Sequence, residues 1–334
     1  MTSIIQTQHL SVGYRKGTQT MPILHDLTIS VSRGELIGII GQNGIGKSTL
    51  LRTIARLQNP LNGDVLVYGK PINSFSRNEF AQKVSFVSTE ILKLNHCTIK
   101  QLVSFGRSPY TDWFGRLSST DEKHVSEAIE MVGLTSLAGR YINEISDGER
   151  QRVMIARTLA QDTDIIILDE PTAFLDMPNK YEVIHLLSEL TRKRKKTILF
   201  TSHDLTIAMR EADRLWLIAP GTFIEGAPED LVLQHSISNL FDETRLKFDV
   251  RKGEFSIHRK PIGTCKLTGK GSTLLWTKKA LERLGYDVEN EVETYSIAIH
   301  VEEKLGQTSW LLTEGNDTHT FKSIYELAGY LKRQ

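Results

Sequence analysis

Gly41-Gln42-Asn43-Gly44-Ile45-Gly46-Lys47-Ser48-Thr49 is the stretch that decides the reading of this chain. It fits the spacing G-x-x-x-x-G-K-[ST], and it joins a short apolar run, Glu35–Gly41, to a segment of helical spacing, Ser48–Leu57. Strand, loop and helix in that order form the context in which this spacing binds phosphate. Glycines let the backbone bend until successive N–H groups face one anion. The following helix points its free N-terminal donors the same way. Lys47 supplies a point charge for the β and γ phosphates, and the Ser48 hydroxyl suits Mg²⁺. Gly41, Asn43, Gly44, Gly46, Lys47, Ser48 and Thr49 are therefore the expected phosphate-loop residues.

A second run carries the complementary chemistry. Asp164-Ile165-Ile166-Ile167-Leu168-Asp169-Glu170 reads as a buried strand that delivers two carboxylates at its C-terminal end, where α/β sheets bind ligands. Asp169 is placed to hold Mg²⁺ through water, and Glu170 to polarise an attacking water. Taken alone, such a pair reads equally well as a solvated loop. The phosphate loop tips the balance.

Around these runs, apolar strands at Thr197–Thr201 and Arg214–Ile218 alternate with helical spacing at Lys180–Thr191 and Leu205–Ala212. That alternation predicts a parallel sheet flanked by helices. Residues 1–35 place Ile23, Leu27, Ile29 and Val31 on one face, as a small antiparallel region does. Thr98–Phe105, Asp121–Val132 and Glu149–Leu159 all have helical spacing and predict a helical insert over about residues 90–160. From Lys247 the pattern changes. Phe248 and Val250, Gly253, then Phe255 and Ile257 predict a hairpin, and Leu274–Leu284 a helix. Tyr295, Ile297, Ile299 and Val301 alternate as a half-buried strand, while Phe321, Ile324, Tyr325 and Leu331 share a helical face. The expected organisation is an α/β domain over 1–244 followed by a small α+β domain over 245–334.

Composition narrows the function classes. The 334 residues carry 41 basic and 40 acidic side chains, for a net charge of +1, which argues against a nucleic-acid partner. The basic run 192–196 reads as a solvated helix end. Cys97 and Cys265 lie far apart and form neither a disulfide framework nor a metal-type spacing. No apolar run approaches the ~20 residues needed to span a bilayer, and the N-terminal stretch has no signal-peptide pattern. Membrane service would need a partner chain.

Ile145-Ser146-Asp147-Gly148-Glu149-Arg150-Gln151-Arg152, followed by an apolar helical pattern, sharpens the class. The segment is similar to the L-S-G-G-Q signature of ATP-binding-cassette (ABC) ATPases, and the chain resembles that family over about residues 3–243. The resemblance implies a P-loop NTPase cassette that binds ATP and Mg²⁺ and packs head to tail with a second copy. Ser146 and Gly148 would then reach the nucleotide held by the other subunit. Tyr14 matches the aromatic that stacks on adenine, Asp176 the loop between subunits, and His203 the histidine that contacts the γ-phosphate. Lys47 and His203 would stabilise charge while Glu170 acts as the base.

Two departures from the family pattern stand out. The family places a glutamine after the strand Val84–Val87; here Thr89 takes that place with Glu90 next, and either is a candidate metal ligand. Asp147 and Glu149 replace Gly and Gln in the signature, and they should face away from phosphate or pair with arginines such as Arg150.

Gly106-Arg107-Ser108-Pro109-Tyr110 and the residues around it, from Thr98 to Arg116, resemble the importer subunits that take up iron chelates, haem or cobalamin. That implies a peripheral seat on the cytoplasmic face of the inner membrane. It also implies permease subunits and an extracytoplasmic substrate-binding protein as partners. The alternatives are an exporter ATPase and a soluble ABC ATPase of DNA repair or the ribosome. The soluble class usually shows two cassettes, long coiled coils or a basic surface, and none is visible. A P-loop kinase or GTPase would lack the Ser146–Gly148 signature and the His203 switch. The C-terminal region carries no motif, and Trp276 and Trp310 read as core; regulatory ligand binding, dimer stabilisation and plain packing are all open to it, and its apolar faces suggest contact with the same domain of a second subunit.

Overall fold

Gly41 ends a strand that lies in the middle of the larger sheet, and this placement organises the site. In the computed structural model, the described residues are 3–17, 19–88, 96–112, 114–173, 175–239, 246–250, 253–257, 260–289, 295–304, 307–315 and 317–333. The six strands of that sheet run in the order Thr222–Gly226, Arg214–Ala219, Leu36–Gly41, Thr197–Ser202, Ile165–Leu168, Val84–Val87. Thr222–Gly226 is antiparallel to its neighbour and all other pairs are parallel. Ile40 pairs with Ser202, and Leu168 with Phe200. The strand ends that carry Gly41, Asp169 and His203 therefore lie side by side at the C-terminal edge, the binding edge of such sheets.

The reason is in the composition of these strands. Parallel strands covered on both faces read as continuous apolar runs, and all four residues of Ile165–Leu168 are buried. Each such side chain contributes roughly 1.5–3 kcal/mol on burial. That holds the strand firmly enough to keep Asp169, only 2% exposed, at one place.

A second, antiparallel sheet has the order Gln19–Leu27, Ser3–Lys16, Asn62–Val67, Lys70–Pro71, with Ser30–Ser32 also pairing to Ser3–Lys16. Leu10, Val12, Leu24 and Val31 from this sheet join Leu50, Leu51 and Ile54 of the helix Lys47–Ile54 in one core. The antiparallel sheet thus backs the helix that follows the phosphate loop.

The helices Ile99–Ser104, Ser119–Met131 and Asp147–Ala160 pack on one another and on the tight turn Phe105–Tyr110. Arg107 is the centre of this cluster. Its Nε donates to Asp121 Oδ1 at 2.8 Å and its Nη1 to Ala160 O at 2.8 Å. Its guanidinium lies 3.9 Å from the Tyr110 ring centre. Arg107 and Asp121 are both buried. Hydrogen bonds from Ser118, with Arg107 adding to them, hold the Asp121 carboxyl down at about 2. Gly106 is needed for the close approach, since a Cβ there would sit 2.1 Å from Arg157 O. Phe105 and Phe114 remain exposed.

The chain divides into two units, 1–241 with 248–254, and 242–247 with 255–334. Leu246–Asp249 and Glu254–Ile257 pair as the two-stranded ribbon that the alternation predicts. The second unit has a five-stranded sheet in the order Tyr286–Glu289, Gly263–Thr268, Ile297–Lys304, Gln307–Glu314, Asp317–Phe321. The first three strands are parallel and the last two antiparallel to their neighbours. Leu281, Leu327 and Leu331 from the helices Gly271–Leu284 and Ile324–Leu331 close its core with Ile297, Ile299 and Val301.

Two aromatic expectations change here. Trp310 is core, and its Nε1 donates to Thr277 Oγ1 at 2.7 Å. That bond turns Thr277 and Leu281 inward, so the neighbouring Trp276 is left 60% exposed, with the Lys279 ammonium 5.4 Å from its ring centre. Tyr325 is 88% exposed because the helix is capped at Ser323 and buries Leu327, Ala328 and Leu331 instead.

Candidate nucleotide site

The loop that follows Leu36–Gly41 is shaped by its glycines. Gly44 and Gly46 have φ of 79° and 108°, conformations open to glycine and poorly tolerated by other residues. A Cβ on Gly46 would also lie 2.6 Å from Ile23 Cγ2, and one on Gly41 2.5 Å from Ile218 O. Gly46 caps Lys47–Ile54 without a side-chain bond, and no acidic residue sits in the first turn. The first N–H groups of this helix are therefore left for an outside anion. Lys47 folds back over the loop, its Nζ donating to Gly41 O at 2.7 Å and Gln42 O at 3.0 Å. Burial lowers its pKa, while Glu170 and Asp169 pull the other way. A lysine satisfied by two carbonyls can exchange them for phosphate oxygens.

Across the loop stand the carboxylates. Asp169 Oδ1 accepts from Ser48 Oγ at 2.9 Å and from Thr201 Oγ1 at 2.9 Å. The Glu170 N–H donates to the same Thr201 Oγ1 at 2.7 Å. Glu170 has φ of 50°, a left-handed backbone in which few non-glycine residues sit. Its Oε1 lies 2.5 Å from His203 Nε2. The residues on either side of His203 are bonded locally: Ser202 Oγ accepts from Asp204 N at 3.0 Å, and Asp204 caps the helix Leu205–Glu211 through Ile207 N at 3.1 Å.

The donor set fits the groups it would hold. Ser48 and Asp169 are adjacent hard oxygen donors, and Mg²⁺ takes one or two protein oxygens together with phosphate and water. Among the described residues no three His, Cys, Asp or Glu side chains converge as an all-protein metal cage, so any Mg²⁺ here would be shared with the phosphates.

Tyr14 stands opposite Met21 on the paired strands. Its hydroxyl is 3.2 Å from Thr49 Oγ1 and the residue is 55% exposed, so a ring face is open to a base. Thr89 and Glu90 lie outside the described residues.

The signature forms a separate group. Ser146 caps the helix Asp147–Ala160 in a reciprocal box: Glu149 N donates to Ser146 Oγ at 3.2 Å, and Ser146 N to Glu149 Oε2 at 2.9 Å. These bonds, with Arg152 and Arg140 nearby, lower the Glu149 pKa. Asp147 pairs with Arg150 at 2.7 Å. Among the described residues no hydrogen bond joins Ser146 or Gly148 to the phosphate loop. The helix is tied instead to Asp176, which caps the helix Met177–Arg194 through Asn179; Arg152 Nη1 donates to Asn179 Oδ1 at 2.5 Å.

Thr201 is the participant that motif reading missed. Its signal is a hydroxyl at the end of an otherwise apolar buried strand, which a search for charged or glycine-rich patterns passes over.

Comparison with known proteins places these features. Residues 24–173 match the "ABC transporter" family, and residues 263–332 match the "Iron ABC transporter C-terminal domain". An uncharacterized ABC transporter ATP-binding protein of Methanocaldococcus jannaschii is 36% identical over 291 residues, covering 85% of this chain and 98% of that protein. A probable siderophore transport system ATP-binding protein of Bacillus subtilis is 40% identical over 240 residues, covering 72% and 86%. Among solved structures, a dimeric ATP-binding cassette in a post-hydrolysis state with ADP and Pi superposes with a TM-score of 0.60. It is 26% identical and covers 67% of this chain and 99% of that one.

Proposed function

Because the chain belongs to the ABC transporter family of ATP-binding subunits, we propose that it powers an importer of iron-siderophore, haem or cobalamin. It is an ATP hydrolase by membership of that family. The observation that carries the substrate class is the pairing of a cassette like those of siderophore transport systems with a match to an iron-transporter C-terminal domain.

Nucleotide enters over Tyr14, and the phosphates lie along Gly41, Asn43, Gly44, Gly46 and Thr49. Lys47 leaves its loop carbonyls for the β and γ phosphates. Ser48 and Asp169 would hold Mg²⁺, with Thr89 or Glu90 as a further ligand; the ion neutralises phosphate charge when bound. Glu170 takes a proton from the attacking water as that water displaces ADP in line from the γ-phosphorus, and His203 holds Glu170 and the γ-phosphate in register. Ser146 and Gly148 of a second copy complete the site.

The domain reading is a cassette over 1–244 and a smaller domain over 245–334. The partners are a second copy, integral permease subunits reached through the helical insert, and an extracytoplasmic substrate-binding protein. No described helix is long and apolar enough to cross a membrane, so the proposed seat is peripheral, on the cytoplasmic face of the membrane. The decisive test is uptake of radiolabelled ferric siderophore, haem and cobalamin in cells lacking this protein. Loss of one uptake, restored by the intact gene and not by a Lys47→Ala copy, supports the reading. Normal uptake of all three refutes the substrate class. Co-purification with ribosomes or DNA in place of permease subunits would refute transport.

A further inference from the structure

We infer that Thr201 is a positioning residue that holds the metal-side carboxylate and the base carboxylate in one frame. The inference rests on the ATPase reading of the site above.

A hydroxyl has one hydrogen to give and two lone pairs to offer. Thr201, fully buried, uses its hydrogen on Asp169 Oδ1 at 2.9 Å and a lone pair on the Glu170 N–H at 2.7 Å. One atom therefore ties together two consecutive residues with different tasks. The same Asp169 oxygen accepts from Ser48 Oγ at 2.9 Å. A directed chain results, from Glu170 N–H to Thr201 O–H to Asp169 Oδ1, met from the other side by the Ser48 O–H. It runs from the base to the first turn of the phosphate-loop helix.

The backbone gives the bond its significance. Glu170 sits at φ of 50°, where a non-glycine residue stays only if its surroundings hold it. In this conformation its Oε1 reaches His203 Nε2 at 2.5 Å. Without an acceptor for the Glu170 N–H, rotation of that backbone would relieve the strain and carry the carboxylate off His203. Asp169 would at the same time lose one of the two hydroxyls that orient it toward Ser48. Valine has nearly the shape of threonine and would fill the same space, so packing alone does not require the hydroxyl at 201.

The test compares Thr201→Val and Thr201→Ser with wild type in the full chain. Five quantities are measured: ATP affinity in EDTA, Mn²⁺ affinity of the nucleotide complex by electron paramagnetic resonance, kcat, KM for ATP, and melting temperature. Groups that orient metal ligands are worth about 10–100-fold in metal affinity or activity when removed. Thr201→Val should lose that much in kcat and in Mn²⁺ affinity, while KM and metal-free ATP affinity hold. Thr201→Ser should restore both. Retained kcat and Mn²⁺ affinity in Thr201→Val would overturn the inference, as would a Thr201→Ser variant as impaired as Thr201→Val. The Mn²⁺ measurement is read whether or not turnover occurs. A wild type that hydrolyses no ATP would sink the ATPase reading, whereas an active wild type with an unimpaired Thr201→Val removes only the role of Thr201.

Discussion

His203 Nε2 and Glu170 Oε1 lie 2.5 Å apart, each at the end of its own strand, with the strands adjacent and parallel. The contact joins the histidine of one motif to the carboxylate of another, 33 residues earlier in the chain. Glu170 is thereby held by two bonds, its side chain to His203 and its N–H to Thr201.

If the two side chains act as one unit, their losses do not add. Glu170→Gln should slow ATP hydrolysis by about 10²–10⁴-fold, the usual range for a general base, and let an ATP-bound dimer accumulate. His203→Ala should lose a comparable amount, and the double variant little more than the worse single one. Steady-state ATPase assays and size-exclusion chromatography check this. Normal turnover in Glu170→Gln would remove it as base, and multiplicative losses would mean that the 2.5 Å contact has no part in the chemistry.

Glu149 places a carboxylate at the start of the signature helix, where its Oε2 accepts from Ser146 N and from Ser146 Oγ, both at 2.9 Å. A glutamine keeps an oxygen for these bonds and removes the negative charge from a helix end that favours anions. Glu149→Gln should therefore strengthen ATP-driven dimerisation several-fold. Analytical ultracentrifugation of the Glu170→Gln background with and without the substitution reads the effect. Weaker dimerisation would show that the carboxylate itself makes a needed contact.

The buried pair Arg107–Asp121 should be costly to break. Arg107→Ala leaves a carboxylate without its cation and Ala160 O without a donor, a loss of about 3–5 kcal/mol. Denaturant unfolding measures it. The sign of the pH dependence follows from Asp121. Its carboxyl is held at about 2 against the ordinary 3.8, so its contribution is full above the unfolded value and fades as pH falls through the folded one. The stability gap between wild type and Asp121→Asn should be constant at neutral pH and close as the pH approaches 2. A gap that persists there, or one that closes near neutrality, contradicts this assignment.

At position 89, where the cassette resemblance implies a glutamine, Thr89→Gln should keep or raise the ATPase rate. Glu90→Gln reports on the neighbouring carboxylate. A sharp fall in Thr89→Gln would mean that the segment works in a geometry of its own, and a fall confined to Glu90→Gln would assign the metal to Glu90.

Much of this protein was legible in the order of its residues. Phosphate loop, acidic strand end, signature and histidine each combine residue type with fixed spacing, and their physics is local: glycine angles, helix ends, an apolar strand with a charge at its tip. The same is true of the parallel sheet, because strands buried on both faces leave an unbroken apolar run such as Ile165–Leu168. The capping boxes at Ser118 and Ser146 are likewise four-residue patterns.

Other features depend on partners far away in the chain, and no local pattern carries them. Arg107 lies in the segment that resembles importer subunits, and nothing in that segment says that it is buried, which follows from Asp121 and Ala160 O meeting it there. Trp276 and Trp310 are alike as residues. Thr277 gives its oxygen to one and thereby turns the other outward. The phosphate loop and acidic pair announced nucleotide chemistry by themselves. That a single hydroxyl, Thr201, binds Asp169 and Glu170 together was decided only when the strand Thr197–Ser202 came to lie between Leu36–Gly41 and Ile165–Leu168, since a hydrogen bond depends on distance in space and the sequence records only distance along the chain.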